Sequence, residues 1–493
     1  MFTSWQYVRP GEFAWVDEHG QGVSVVGNQG PTEARFKRGH HPFGIRLAAR
    51  PALREGPVLR REDLPPGTAG GVVITTLLQE ADVYKAWGFE AVGRDKQSVY
   101  LESTDGRSWT RPEVRFEVDG DPGASLNLGE GTVFIDPSAP PDERYKLITL
   151  ESFGDEAFEA FKRRSPDRWE PLARREDVGA VFYIAGLVSA DGLRWRRLPG
   201  PLSVEHSDTQ IVGYYDTRLG RYVVYTRWWM IEPRSTATRS AGTPFYNVGR
   251  RSIGRSESTD FRSFPLSRPV LVPSPEMQPC DVLYTNCRTT VPGAPHCHLM
   301  FPTVWHQGDD STTVVLASSH DGQVWSFLPQ REVFQTAPFG AWDGGCVFAR
   351  PNLVELPDGS FVLPYTGYDV PHKYPRGQFR YATGYMVWPR GRLVALQADG
   401  LGEFSTVAFV APGRRMLLNA EVLRAGSVRI EVATPEAGPV PGRSFAEADP
   451  LFGDLYRAPV TWQGQADLGV EPGTPIMLQF RLDRAALFAI DFE

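Results

Sequence analysis

Four carboxylic acids stand in comparable places along this chain, each just before a short apolar run that reads as a strand. Glu130 precedes Gly131-Thr-Val-Phe134, Asp208 lies in His206-Ser-Asp-Thr-Gln210 ahead of Ile211-Val-Gly-Tyr-Tyr215, and Asp281 precedes Val282-Leu-Tyr284. Asp343 follows Trp342 and precedes two glycines, which let a ligand approach the backbone. Two carboxyl groups across one pocket, one protonated and one ionised, can act as general acid and base, and a third can orient a ligand or shift a pKa. Any one of these acids alone reads as well as a turn residue or loop cap; their recurrence before successive strands is what points to chemistry.

Residues able to hold a polar ligand by ring faces or paired donors stand nearby: Asn127, Arg227, Trp228, Tyr284, Asn286, Arg288, Trp342 and His372, with Trp229 and Tyr368 beside them. Most of the 13 tryptophans must instead pack between strands. Tyr284, Asn286 and Arg288 alternate, so a regular strand turns them to one face and Asp281 to the other. They share a pocket with Asp281 only if the strand starts late or bulges.

The elements that must position these residues announce themselves through a repeated motif, Ser-x-Asp-x-x-x-Trp/Phe. Its copies are Ser103 to Trp109, Ser189 to Trp195, Ser258 to Phe264 and Ser319 to Trp325. Three carry Gly directly after Asp, as a hairpin turn in which Asp accepts hydrogen bonds from its own loop and Gly takes a positive φ. The steps between the aspartates are 86, 69 and 61 residues, so each unit exceeds one hairpin. A four-stranded unit with a fixed turn motif is how a β-propeller blade looks in sequence.

Composition agrees. The chain has 49 Gly and 42 Pro in 493 residues, against a usual combined share near 12%, which suits many short strands joined by turns. Net charge is −7, with no basic run; this argues against nucleic acid and favours a neutral or weakly polar ligand. No apolar stretch reaches the ~18 residues of a membrane helix, and the first ten residues lack a secretion-signal pattern. Four cysteines in so long a chain suit a reducing compartment, and the expectation is a cytoplasmic protein. Cys280, Cys287 and Cys297 lie near His296, His298 and His306, but at spacings that match no zinc pattern; no metal and no cofactor are expected.

Along the chain, residues 1–69 form an N-terminal segment with a turn at Asp17 to Gly20, expected to close the propeller or to join the C-terminal strands. Residues 70–390 read as five blades, the fifth without a motif copy, with a short surface helix near Glu156 to Lys162. Residues 391–493 carry short alternating strands at 416–418, 428–432, 476–480 and 487–490, expected to form a β-sandwich. The fold class is all-β.

With these features in place, the chain resembles the five-bladed propeller glycoside hydrolase superfamily that includes families 32, 43 and 68, and most closely family-32-like bacterial proteins. The residues that carry the resemblance are Val133-Phe-Ile-Asp136 with Asp142 to Lys146, the Ser-x-Asp turns, Asp281 to Asn286, Trp342 to Gly345 and the closing segment 470–492. It implies a glycosidase with paired carboxylates in the propeller channel, a small carbohydrate as substrate and a sandwich packed after the propeller; a homo-oligomer is compatible with it. The sequence departs from those families in having no Asp just before Gly71-Val-Val-Ile74, Asp63 lying in a Pro-rich loop, and in placing no family motif around Glu130, Glu205 or Glu276. The turns also resemble the sialidase Asp-box, which usually has one more residue between Asp and Gly. A non-catalytic carbohydrate-binding propeller, or a phosphorylase in which Arg227, Arg288 and His206 hold phosphate, are the competing readings.

Overall fold

A computed structural model describes the chain except residues 11–13, 17–21, 27–34, 38–41, 60–67, 93–94, 123, 125, 176–178, 231–248, 374–379 and 436–437. The expected turn at Asp17 to Gly20 and the loop bearing Asp63 lie outside the described residues. The chain divides into two compact units.

The larger unit, Pro51–Phe327 with Glu332–Pro389, holds five antiparallel sheets in a propeller arrangement. Blade one is Thr68–Glu80, Val83–Val92 and Asp95–Ser103. Blade two is Thr132–Ile135, Tyr145–Phe153, Ala180–Ser189 and Arg194–Arg197. Blade three is Val212–Asp216, Arg221–Trp229, Arg251–Ser258 and Arg268–Leu271. In blade four the inner strand is broken into Asp281–Leu283 and Arg288–Val291, followed by Ala294–Met300, Thr303–His306, Ser311–Ser319 and Ser326–Gln335. Blade five is Cys346–Ala349, Phe361–Tyr368 and Tyr381–Trp388, and its outer strand is the distant Leu53–Glu55. The N-terminal segment thus completes the last blade.

An inner strand has one edge in its own sheet and one facing the next blade, and buried backbone groups there need partners. Buried side chains of the preceding blade supply them. Val133 N–H donates to Thr76 Oγ1 at 3.0 Å and Gly213 N–H to Thr132 Oγ1 at 3.3 Å. Thr209 Oγ1 donates to the Tyr284 carbonyl at 3.1 Å. Ala349 and Val347 N–H donate to Thr303 and Thr312, and Ile74 N–H to Thr383 at 2.9 Å, which joins blade five to blade one.

The Ser-x-Asp turns bolt the outer parts of the blades together in the same direction. Asp105 Oδ1 accepts from the N–H groups of Arg107 and Ser108, and Asp191, Asp260 and Asp321 repeat the pattern. The turn glycines have φ of 71°, 79° and 70° at Gly106, Gly192 and Gly322. Their carbonyls accept from Tyr385 Oη, Trp87 Nε1 and Tyr225 Oη of the preceding blade. A Cβ on Gly192 would stand 2.8 Å from the Trp87 ring, so both the φ and the close approach demand glycine. In the third copy Phe261 replaces glycine and packs edge-on against Phe134 of blade two.

The expected surface helix is Asp155–Arg164, burying Phe158 and Phe161, with acids in its first turn and bases in its last, as the helix dipole favours. The smaller unit, Met1–Arg50, Leu328–Arg331 and Arg390–Glu493, contains an antiparallel sheet in which Arg46–Ala49 pairs with Val394–Ser405. The short strands expected after 391 merge into two long ones, Met416–Thr434 and Pro475–Phe492. Register shifts between Val422 and Ser427, with Ala425 and Arg484 at φ of 59° and 47°, bend this pair. Bent strands of this kind can serve both layers of a sandwich.

Two substitutions test these junctions. Thr76→Val keeps shape but orphans the Val133 N–H, and should lower stability by about 1–3 kcal/mol. Asp191→Ala should cost about 1–2 kcal/mol through lost turn hydrogen bonds and leave ligand affinity unchanged. Denaturant melts beside a binding titration check both; a loss of binding at unchanged stability in Asp191→Ala would contradict a structural role.

Candidate active site

A cavity of about 140 Å³ lies where the inner strands of the propeller begin. Blade two contributes Gly129 and Glu130, blade three Thr209 and Gln210, blade four Tyr284 and Thr285, and blade five Phe348 and Arg350; Phe89, Lys96, Tyr368 and His372 complete it. Glu130, Gln210, Thr285 and Arg350 each stand six residues before the residue that opens the inner hairpin turn of their blade: Asp136, Asp216, Val291 and Leu356. They are equivalent positions, and equivalence makes them converge.

The ring is held by polar cross-links. Ile211 N–H donates to the Glu130 carbonyl at 2.8 Å, Gln210 Nε2 to the Ala349 carbonyl at 2.7 Å, and Arg350 Nη1 to the Gly129 carbonyl at 3.3 Å. Gln210 Oε1 accepts from Cys287 N–H. Both residues adopt left-handed backbone, φ 38° and 44°, so the tight crossing of blades three and four is strained and fastened at once.

Glu130 lines the cavity, and Asp208, outside that lining, is near enough for its charge to act on Glu130. Burial, and then the charge of Asp208, push the Glu130 carboxyl up to about 7, against the pull of Arg350, Lys96 and Arg251. Burial alone would raise Asp208 too, but the Arg227 guanidinium paired with it, helped by His206 and Arg251, holds it well below the usual carboxylate range. His206 Nε2 lies 3.6 Å from Asp208, its Nδ1 is 2.9 Å from the Leu172 carbonyl, and burial lowers its pKa to about 4, so the ring is neutral at pH 7. Below about pH 7 the two therefore offer a protonated acid and an ionised carboxylate.

Aromatic rings form one side. Tyr284 packs against His372 at 4.7 Å and Phe348 at 5.2 Å between ring centroids. Arg251 lies over the opposite part of the Tyr284 ring, 3.9 Å from its centroid, and donates to the Tyr284 carbonyl and to Thr209.

The other expected site residues fall elsewhere. Asp208, Asp281 and Asp343 do not share one cavity. Asp281 accepts from Gln278 N–H at 3.0 Å, bonds His306 Nδ1 at 2.8 Å, and lines a separate cavity of about 570 Å³. Asp343 is fully buried, paired with Arg54 and accepting from Tyr365 Oη at 2.8 Å; it pins the outer strand of blade five. These aspartates lie ten and thirteen residues before their inner turns rather than six, so they are not equivalents of Glu130. Trp342 stacks on Tyr365 beside them. The inner strand of blade four does break after Leu283, which brings Tyr284 into the channel. Asn286 instead bonds the Gln210 carbonyl, and Arg288 lies over Tyr214 and bonds His298. Asn127 donates to the Leu150 carbonyl at 2.9 Å, with its residue exposed near Gly129, and Trp228 is buried in blade three. Lys96, Arg251, Phe348 and Arg350 were not singled out in the sequence; counting back six residues from each inner turn finds Arg350 and, one or two positions away, Tyr284 and Phe348.

No protein-family model matches this sequence, and neither does any curated protein. Solved structures similar to it include an N-acetylgalactosamine deacetylase from F. plautii, 11% identical, covering 71% of this chain and 97% of its own at a TM-score of 0.41. A β-1,2-mannobiose phosphorylase from Listeria innocua is 10% identical and covers 70% and 98% at 0.43. A family-32 β-fructofuranosidase of Bombyx mori is 10% identical and covers 87% and 95% at 0.36.

Asp343→Asn should lower stability by about 1–3 kcal/mol, less than a wholly buried pair because the Arg54 side chain is 30% exposed, and leave turnover per folded molecule intact. Activity normalised to the folded fraction checks this; loss of activity without loss of stability would return Asp343 to the chemistry.

Proposed function

We propose that the protein is a glycoside hydrolase that takes a single sugar unit of a small glycoside into the propeller channel. The observation that carries this reading is the opposed ionisation of two carboxyls close enough to feel each other: Glu130, which lines an aromatic-walled cavity and is pushed up to about 7, and Asp208 behind it, held ionised. Glycosidic cleavage needs such a pair: an acid to protonate the leaving oxygen and a carboxylate to act as base or nucleophile. Glu130 is the acid and Asp208 the carboxylate. The ring of Tyr284, steadied by Arg251, Phe348 and His372, supplies a face for the sugar. The cavity is well below the ~300–1,000 Å³ of clefts that take drug-sized ligands, which fits one sugar ring better than a chain.

All four cysteines are free, which supports a reducing compartment such as the cytoplasm, and no helix among the described residues is long and apolar enough to cross a membrane.

A general acid works while protonated. The rate kcat/KM should therefore be level below about pH 7 and fall tenfold per pH unit above it, as Glu130 ionises; the acid limb lies far lower, where Asp208 takes up a proton. Glu130→Gln should lose about 10²–10⁴-fold on alkyl glycosides and much less on nitrophenyl glycosides, whose leaving groups need no proton. Asp208→Asn should lose activity on both. A glycoside panel assayed from pH 4 to 9 tests this; equal losses on both leaving-group classes in Glu130→Gln would remove it as the acid.

A further inference from the structure

The charge around this cavity runs against the charge of the whole chain. The protein carries −7, yet among the described residues the charged ones lining the cavity are Lys96, Arg350 and Glu130, with Arg251 and the Asp208–Arg227 ion pair close behind. Lys96, Arg251 and Arg350 have no carboxylate partner among the described residues. Arg251 is buried and gives Nη2 to Thr209 and to the Tyr284 carbonyl, while its Nε has no hydrogen-bond partner among the described residues. Arg350 gives Nε to Thr366 Oγ1 at 2.9 Å and Nη1 to the Gly129 carbonyl, and its Nη2 bonds none of the described residues. Lys96 lies over the Phe89 ring, 4.6 Å from its centroid.

Both lining cations lie against Gly129. Arg350 Nη1 is 3.3 Å from the Gly129 carbonyl, and Lys96 Nζ is 3.7 Å from where a Cβ on Gly129 would stand. Glu130 is that glycine's neighbour in the chain. Two cations at one cavity without a carboxylate partner, Lys96 exposed and Arg350 half-buried, favour an anion beside them.

We propose that Lys96 and Arg350 clamp a carboxylate carried by the substrate, so that the glycoside is an acidic one, such as a hexuronide. This rests on the hydrolase reading above and narrows its substrate.

The test has two arms. In phosphate-free buffer, wild-type kcat/KM on a nitrophenyl hexuronide should exceed that on the matching neutral hexoside by tenfold or more. Lys96→Gln should pull that ratio toward one, and raised salt should raise KM for the hexuronide only. In parallel, calorimetric binding of free glucuronate and of glucose to Glu130→Gln reads the clamp without turnover. Glucuronate binding tenfold tighter than glucose, and lost in Lys96→Gln, supports the clamp even where no glycoside is cleaved, in which case only the hydrolase reading fails. Equal binding of the two sugars, a neutral hexoside cleaved as fast as the hexuronide, or release of a sugar phosphate when inorganic phosphate is added would overturn it.

Discussion

Every blade of this propeller presents the free edge of its innermost strand to the blade before it, and that edge must find hydrogen-bond partners in a dry interior. The chain solves this mainly with side chains, beside the backbone bond from Ile211 N–H to the Glu130 carbonyl. Thr383, Thr76 and Thr132 serve blades one, two and three, Thr209 with Gln210 serves blade four, and Thr303 with Thr312 serves blade five. A threonine is short enough to keep the blades close and offers one oxygen that can accept or donate. These contacts also fix where each strand begins around the axis. The placing of Glu130 beside Asp208, and of Tyr284 and Arg350 around them, follows from that register.

The architecture was largely legible because turn chemistry is local. Ser, Asp and Gly at fixed offsets specify a loop whatever surrounds it, and the Ser-x-Asp copies fell in equivalent turns. What the residues alone did not reveal is that the glycine carbonyls receive Trp87, Tyr225 and Tyr385 from the neighbouring blade, since such partners are far apart in sequence. The long strands after residue 391 were hidden by their bulges, which interrupt the alternation on which a strand is recognised.

The site was half legible. Glu130 and Asp208 are acids ahead of strands, as expected, and Tyr284 enters through a break that regular alternation forbids. Asp281 and Asp343 look the same in sequence but sit further from their inner turns, and there His306 and Arg54 claim them. Their proximity to strands was a sound clue to position along the chain and a poor one to direction. Arg350 and Lys96 escaped notice because a cation next to an apolar run reads as a solvated edge; only the ring of blades shows them facing Gly129. The cations at the cavity run against the net charge of the chain, which is why the ligand proposed is acidic where composition alone suggested a neutral one.

Two carboxyls in one environment would titrate alike; here burial and Arg227 drive them apart. The most direct test is a carbon-13 NMR titration of the glutamate carboxyls, with Glu130 assigned by its loss in Glu130→Gln. The account predicts one carboxyl titrating near pH 7, moving to lower pH in Asp208→Asn as its like-charged neighbour disappears. A Glu130 signal titrating in the ordinary range near pH 4 to 5, unmoved by Asp208→Asn, would contradict it.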